Sequence, residues 1–331
     1  MNNQILLSII VPVYKVEPYI NKCLDSLIVS PDLMEKLEVI IVNDGTPDNS
    51  AEMSREYVKR YPGTFRQIDK ENGGHGSAWN VGLSEAQGKY VKFLDSDDWL
   101  TNLEEFMCRL DSCDSDIVLT NYQIYHLQRD EYERRLTSID FDVERAVCQD
   151  LLHSLRYGYI EINFWYACYK TTILKPLWPL FAEKVMYDDS VLSFAPIVYG
   201  RTIIAFNIDL YNYLLGREGQ SMDPNIQKKN ALSYWNCLSH EERVRSQLEE
   251  KEIPKDLINC IDEVITQYAH FIFPFLLFLP HKKAKAYMAY IDKTYPFSNN
   301  TSSKLWRRYK AYPWWMFYVI EMFRNYYITH R

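Results

Sequence analysis

The chain has 331 residues, 47% of them hydrophobic, and 44 Asp and Glu against 37 Lys and Arg give a formal net charge of −7. That length supports a large core and exceeds the usual single domain, and the acidic balance argues against general nucleic-acid binding. Cys23, Cys108, Cys113, Cys148, Cys168, Cys237 and Cys260 form no C-x-x-C pair and no Cys/His grouping, which excludes a stapled fold and a zinc site; they read as reduced core residues of a cytosolic protein.

The chain opens directly into the apolar run "ILLSIIVPV", too short for a membrane span and without the preceding positive charge of a signal peptide. Continuous apolarity predicts a central strand covered on both faces, followed by a helix from Glu17 through Leu27. "LEVIIVND" is a second strand of this type. "DNSAEMSREYVKRY" reads as a helix capped by Asp48 or Asn49, "TFRQIDK" as a third strand, "GSAWNVGLSEAQ" as a helix and "KYVKFLD" as a fourth strand. This alternation predicts an α/β fold with a mostly parallel central sheet flanked by helices, and such sheets bind ligands beyond the carboxyl ends of their strands.

Polar residues gather at those ends: Pro12 and Tyr14 after the first strand, Asn43 and Asp44 after the second, Asp95 and Asp97 after the fourth. In "FLDSDDW" three carboxylates fall within four residues, and their mutual repulsion calls for a cation, a donor or open water. Asp98 reads either as an orienting group for this loop or as the cap of a helix starting near Trp99 or Thr101. No G-x-G-x-x-G follows the first strand and no Walker loop is present, so dinucleotide oxidoreduction and P-loop chemistry are disfavoured. Paired Asp oxygens suit Mg²⁺ or Mn²⁺ carrying a nucleotide diphosphate.

Further along, "DIVLTNYQIYHL" predicts a strand and polar turn, residues 143–155 a helix, and "FWYACYKTTILK" a strand or strand–helix junction. "MYDDSVLSFAPIVYG" predicts a helix opening on Asp188 and Asp189, and "TIIAFNIDLYNYLL" one or two strands. From residue 222 helices predominate: a polar one over 227–249, a more apolar one over 255–279 that contains Pro274, and "AKAYMAYIDKTY". The boundary divides the chain into residues 1–221 and a helical C-terminal region, 222–331. From Lys304 onward six Lys or Arg face the single Glu321, so this segment carries +5 and the remainder −12. Its Trp306, Trp314, Trp315 and the run Met316, Val319, Ile320, Met322, Phe323, Tyr326 and Tyr327 suit a helix lying along an anionic membrane surface. A packed terminal helix or a homo-oligomer contact remains the other reading.

The ordered set "SIIVPVYKVEPYINKCLDSL", "VIIVNDGTPDNS", "ENGGHGSAWNVGLSEAQGKYVKFLDSDDW" and "YDDSVL" resembles family 2 glycosyltransferases of the GT-A fold, especially bacterial enzymes of capsule, exopolysaccharide and cell-surface glycan assembly. The match is close over residues 5–100 and looser over 180–221. The resemblance implies inverting transfer of a sugar from a nucleotide-diphosphate donor, commonly a UDP-sugar, with Mg²⁺ or Mn²⁺, to a hydroxyl of a glycan or lipid-linked glycan, in the cytoplasm or on the inner face of the membrane. It implies that Pro12, Val13 and Tyr14 line the nucleoside pocket, with Glu17 near the ribose and Asp44 accepting from the uracil imide. Asp95 would face ribose and metal, Asp97 would be the principal metal ligand, and Asp189 would be the base, with Asp188 as runner-up. Where many relatives carry Arg-Asn, this chain has Trp79-Asn80, so Lys70, His75 or the helix start near Gly76 is expected to meet the diphosphate, and Arg217 in "GREGQSM" to close over it. A catalytically inactive UDP-sugar-binding module is the alternative; a nucleotidyltransferase or hydrolase would need more basic phosphate machinery.

Overall fold

The computed structural model describes residues 4–137, 139–146, 164–221, 223–251, 253–296 and 304–329. Strand β1 (Leu7–Val13) and strand β2 (Leu37–Asn43) are buried at every position, as continuous apolar runs require. They pair in parallel from Leu7↔Leu37 to Val13↔Asn43, β3 (Phe65–Asp69) adds to β2, and β4 (Tyr90–Phe93) pairs with the first half of β1. Because β4 stops opposite Ile10, Pro12 falls past its end, and the missing N–H of that proline breaks no ladder. The carboxyl ends therefore share one rim, where Asp44, Lys70 and Asp95 follow their strands.

Helices α1 (Ile20–Asp25), α2 (Pro31–Met34), α3 (Ser50–Arg60), α4 (His75–Glu85) and α5 (Leu103–Asp111) fill the connections. Beyond β4 the sheet becomes mixed, in the order β3-β2-β1-β4-β9-β6-β10-β5. Here β5 is Trp99–Leu100, β6 Ile117–His126, β9 Ala167–Lys170 and β10 Thr202–Leu215. Strands β6 and β10 are parallel, while β9 runs antiparallel to both β4 and β6. β7 (Glu131–Arg135) and β8 (Arg145–Ala146) edge β6 and β10. The short helix α6 (Thr171–Leu174) follows β9. After β10 come α7 (Pro224–Lys229), α8 (Ala231–Glu249), α9 (Lys255–Ile272), α10 (His281–Thr294), α11 (Lys304–Ala311) and α12 (Trp314–Thr329).

Several local expectations change. The first helix is only Ile20–Asp25, and the segment after Asp188 forms two 3₁₀ turns, Asp188–Ser193 and Ala195–Val198. Pro196 has no N–H to continue a helix, and Phe194 leaves helical geometry at φ −134°. Arg145–Ala146 is strand where a helix was expected, and residues 147–155 of that expectation lie outside the described residues. The 255–279 helix ends at Ile272 and continues past Pro274 as a 3₁₀ turn, Phe275–Phe278. The run from Thr202 is one strand, irregular between Ala205 and Tyr211.

Candidate active site

The rim is assembled from loops that hold one another. After β1, Lys15 N donates to Thr46 Oγ1 and Glu17 N to Asp48 Oδ2, while Glu17 accepts from Asn49 Nδ2 at 3.0 Å. Asp48 also accepts from the Ser50 N–H and hydroxyl at the start of α3, and these donors hold its carboxyl below the usual range even though burial works against them. Pro12 and Val13 are buried in β1, whereas Tyr14 is exposed at the mouth with Lys15 lying over its ring. The rim thus presents an exposed aromatic ring.

Asp44 is buried, and its carboxylate accepts from Gly73 N (2.8 Å), Gly74 N (2.8 Å) and Lys70 Nζ (2.6 Å). It therefore organises the "NGG" turn, with Asn72 Nδ2 on its own carbonyl at 3.0 Å. Gly74 adopts φ +88°, a conformation that favours glycine, at the start of α4. Lys70 is spent on Asp44 and on the Glu71 carbonyl.

His75, the first residue of α4, bridges the two acidic turns. Its Nε2 lies 2.9 Å from Asp95 Oδ1 and its Nδ1 lies 3.1 Å from Asp188 Oδ1. Burial favours the neutral ring, but the Asp188 and Asp95 charges outweigh it and lift His75 well above its ordinary value. One imidazolium thus joins two carboxylates distant in sequence. Gly76 permits this approach, since a Cβ there would sit 2.4 Å from Asp188 Oδ2 and 2.2 Å from the Ala182 carbonyl. Trp79 lies beneath His75, ring centroids 4.0 Å apart, packed against Phe93, Phe164 and Phe181. It is core, and no cationic side chain stands in its place.

Asp95, Asp97 and Asp98 bring one carboxylate oxygen each within 4.8 Å of one another. Each has its own partner. Asp95 faces His75, and Asp97 is ion-paired with the Arg217 guanidinium from the loop after β10. Burial raises the Asp97 carboxyl, with Arg217 working the other way. Asp98 accepts from the Tyr211 hydroxyl at 2.6 Å and from Leu214 N at 2.7 Å, both on β10. The helix-cap reading of Asp98 is corrected here: Trp99–Leu100 is strand, α5 starts at Leu103, and the residue before that helix is Asn102. Asp98 instead orients its loop, and burial pushes its carboxyl well up. The Tyr211 hydroxyl also accepts from Asp95 N, so one tyrosine braces both ends of the acidic turn.

Opposite, Asp188 and Asp189 begin the 3₁₀ turn after Tyr187, whose φ is +67°. Burial, then the Asp188 charge, pushes Asp189 up to about 7. Helix α8 buttresses this turn: Tyr234 stacks on Tyr187 with centroids 4.2 Å apart, and the Cys237 thiol meets the carbonyls of Met186 and Tyr187 at 3.2 Å. One turn further, Glu241 is buried and pushed up to about 8 by desolvation. Among the residues that sequence reasoning missed, Tyr211 was concealed by strand alternation, and Tyr234, Cys237 and Glu241 by a helix that read as polar. A lone carboxylate in the buried i, i+3, i+7 stripe was the available signal for Glu241.

Residues 8–172 match the family model "Glycosyl transferase family 2". The chain is 31% identical over 215 residues to the "Putative glycosyltransferase EpsH" of Bacillus subtilis, covering 62% of this chain and 60% of that protein. It is 46% identical over 97 residues to the "Uncharacterized glycosyltransferase EpsJ" of the same organism, covering 29% of this chain and 27% of the relative. The chain therefore spans less than two thirds of each of these relatives. Among solved structures, Staphylococcus aureus TarS 1-349 in complex with UDP-GlcNAc superposes with a TM-score of 0.54 at 19% identity, over 88% of this chain and 89% of that one. The mannosyltransferase PcManGT from Pyrobaculum calidifontis, in complex with GDP-Man and Mn2+, gives 0.53 at 16% identity, over 96% and 86%. These likenesses establish the GT-A fold.

Proposed function

Because the chain belongs to glycosyl transferase family 2, we propose that it transfers a sugar, with inversion, from a UDP-sugar to a hydroxyl of a glycan or lipid-linked glycan in surface-polysaccharide assembly. The observation that carries this reading is the pairing of an acidic rim with a second acidic turn across one cleft, joined by His75. Three carboxylate oxygens within 4.8 Å fit a hard divalent cation, Mn²⁺ or Mg²⁺, with Asp97 and Asp95 as the protein ligands. When bound, that ion supplies positive charge to the departing diphosphate.

The chain's own residues do the rest. Tyr14 stacks on the base above Pro12 and Val13, and Glu17 meets the ribose. Asp44 retains acceptor capacity beyond its three hydrogen bonds, since a carboxylate offers about four lone-pair sites, and takes the uracil imide N–H. Arg217, on a loop with Gly216 at φ +102° and Gly219 at φ +74° and ion-paired with Asp97, would meet the diphosphate if Asp97 held a cation. His75 supplies cationic charge on the diphosphate side in place of the family's missing arginine and holds Asp188 toward the transferred sugar. Asp189, ionised above about pH 7, accepts the acceptor hydroxyl's proton as that oxygen attacks the anomeric carbon opposite the leaving group. Residues 1–221 form the transferase unit, and 222–331 support its acceptor side at the inner face of the cell membrane.

Incubation with UDP-sugars and Mn²⁺ tests this reading. Donor consumption with an inverted anomeric product supports it, and tight donor binding with no consumption under any acceptor would favour the inactive sugar-nucleotide module. Trp79, buried where a donor arginine was expected, is the observation behind that second reading.

A further inference from the structure

Helix α12 is apolar on its outward arc as well as on the side that packs against the core. A terminal helix ordinarily turns an apolar stripe inward and its charges outward. In α12 Phe317 is buried and Trp314 and Tyr318 pack against the core, and the same side takes in Glu321, which is 1% exposed with Arg308 Nη1 at 2.8 Å. The outward arc is Trp315, Val319, Met322 and Phe323, with spacing i, i+4, i+7 and i+8, and Ile320 at its margin. Trp315 is 67% and Phe323 63% exposed. The only acid between Trp314 and Phe323 has thus been neutralised on the inside, leaving the surface arc wholly apolar.

Cations collect at one end of this arc. His281, which opens α10, meets Trp314 Nε1 through its Nε2 at 2.6 Å and packs against Tyr318. The exposed Lys282 and Lys283 follow it directly. Exposed Lys304 and Arg307 lie on α11 just before the arc. Between α10 and α11 a cleft of about 290 Å³ is lined by Lys285, Lys310, Tyr309 and Trp314 together with Asp292, whose oxygens are taken by Lys310 and by Trp306 Nε1.

We propose that this arc and its cationic border are a peripheral docking face for an anionic lipid bilayer, with Trp315, Val319 and Phe323 at the acyl boundary and the lysines and arginine among the headgroups. Charge complementarity selects an anionic lipid surface: the exposed Lys282, Lys283, Lys304 and Arg307 at one end of the arc are neutralised by an anionic headgroup layer. The helix lies in the interface plane, because its 16 residues span about 24 Å against a hydrocarbon core of about 30 Å. No described helix is long and apolar enough to cross a membrane. The 3₁₀ turn Phe275–Phe278 touches both α12 and α8, and α8 braces the Asp188–Asp189 turn. Docking therefore fixes the acceptor side of the cleft relative to the bilayer.

The inference rests on the proposed function only for the location of the acceptor, so lipid and donor binding are read separately. Flotation of the full chain with vesicles of phosphatidylcholine containing about 30% phosphatidylglycerol is compared with phosphatidylcholine alone. The chain is expected to float with the anionic vesicles, less with neutral ones, and less when salt rises from about 0.1 to 0.5 M. The double variant Val319→Glu, Phe323→Glu is expected to lose at least about tenfold in vesicle affinity while UDP binding stays unchanged. Failure of the folded parent to float, or equal flotation of the variant, overturns the docking face. So does a dimer in light scattering that the variant dissociates while neither protein floats. Flotation without UDP binding upholds this face and rejects the donor reading instead.

Discussion

Asp95, Asp97 and Asp98 occupy one turn, yet the fold hands them to His75, Arg217 and Tyr211 respectively. Their presence at a strand end was legible in "FLDSDDW", and so was their need for compensation. The division of labour was not, because Arg217 and Tyr211 lie more than 110 positions away, a separation that local sequence patterns do not span. The same holds for His75, whose bridge to Asp188 depends on the missing Cβ of Gly76. Asp97→Asn should leave the fold intact and weaken Mn²⁺-dependent UDP binding by at least about tenfold, since it removes a charge that balances the ion; calorimetric titration with UDP and Mn²⁺ measures this. Asp189→Asn should retain UDP binding and lower transfer by about 10²–10⁴. In the parent protein kcat should climb as pH rises through about 7 and then level off, because Asp189 accepts a proton only when ionised. A rate that falls over that interval would remove Asp189 from the role of base.

At the scale of elements, β1 to β4 were readable because a strand buried on both faces is written as an unbroken apolar run. The 3₁₀ turns after Tyr187 were not, since "DDSVLSFAPIV" has helical spacing and its geometry is decided by Pro196 and by packing against α8. Strand β10 bears on the site through Tyr211. Tyr211→Phe removes a donor from a buried carboxylate and should cost about 1–3 kcal/mol in denaturant unfolding. Helix α8 contributes Glu241, whose carboxyl is raised by burial from 4.5 to about 8, with the Asp189 charge adding to the rise. The folded state holds that proton more tightly than the unfolded chain, so the contribution of Glu241 to stability is greatest below about pH 4.5 and declines as pH climbs toward 8. Glu241→Gln should therefore be more stable than the parent at pH 8, on the order of 1–3 kcal/mol, with the gap closing toward pH 4.5. Melting curves across that range report it, and a gap that widens on acidification would contradict it.

Across the whole molecule, a mixed sheet carries the acidic rim on its parallel side and receives the Asp188–Asp189 turn from the segment between β9 and β10. The parallel half and its rim were legible because alternating strands and helices place their polar ends on one edge. The antiparallel insertion of β9 between β4 and β6 was not, since a four-residue strand carries too little pattern to fix its neighbours. The C-terminal helices read as an appendage by composition; in the fold, α8 supports the Asp188–Asp189 turn and α12 turns its apolar arc outward. The acidic rim is proposed to bind a uridine nucleotide together with a divalent cation. The most direct measurement of this is titration of the full chain with UDP and with GDP, each with Mn²⁺ and with chelator. UDP binding is expected to require Mn²⁺, to exceed GDP binding, and to lose its preference for uracil in Asp44→Ala. Equal binding of both nucleotides, or UDP binding indifferent to the metal, would contradict it.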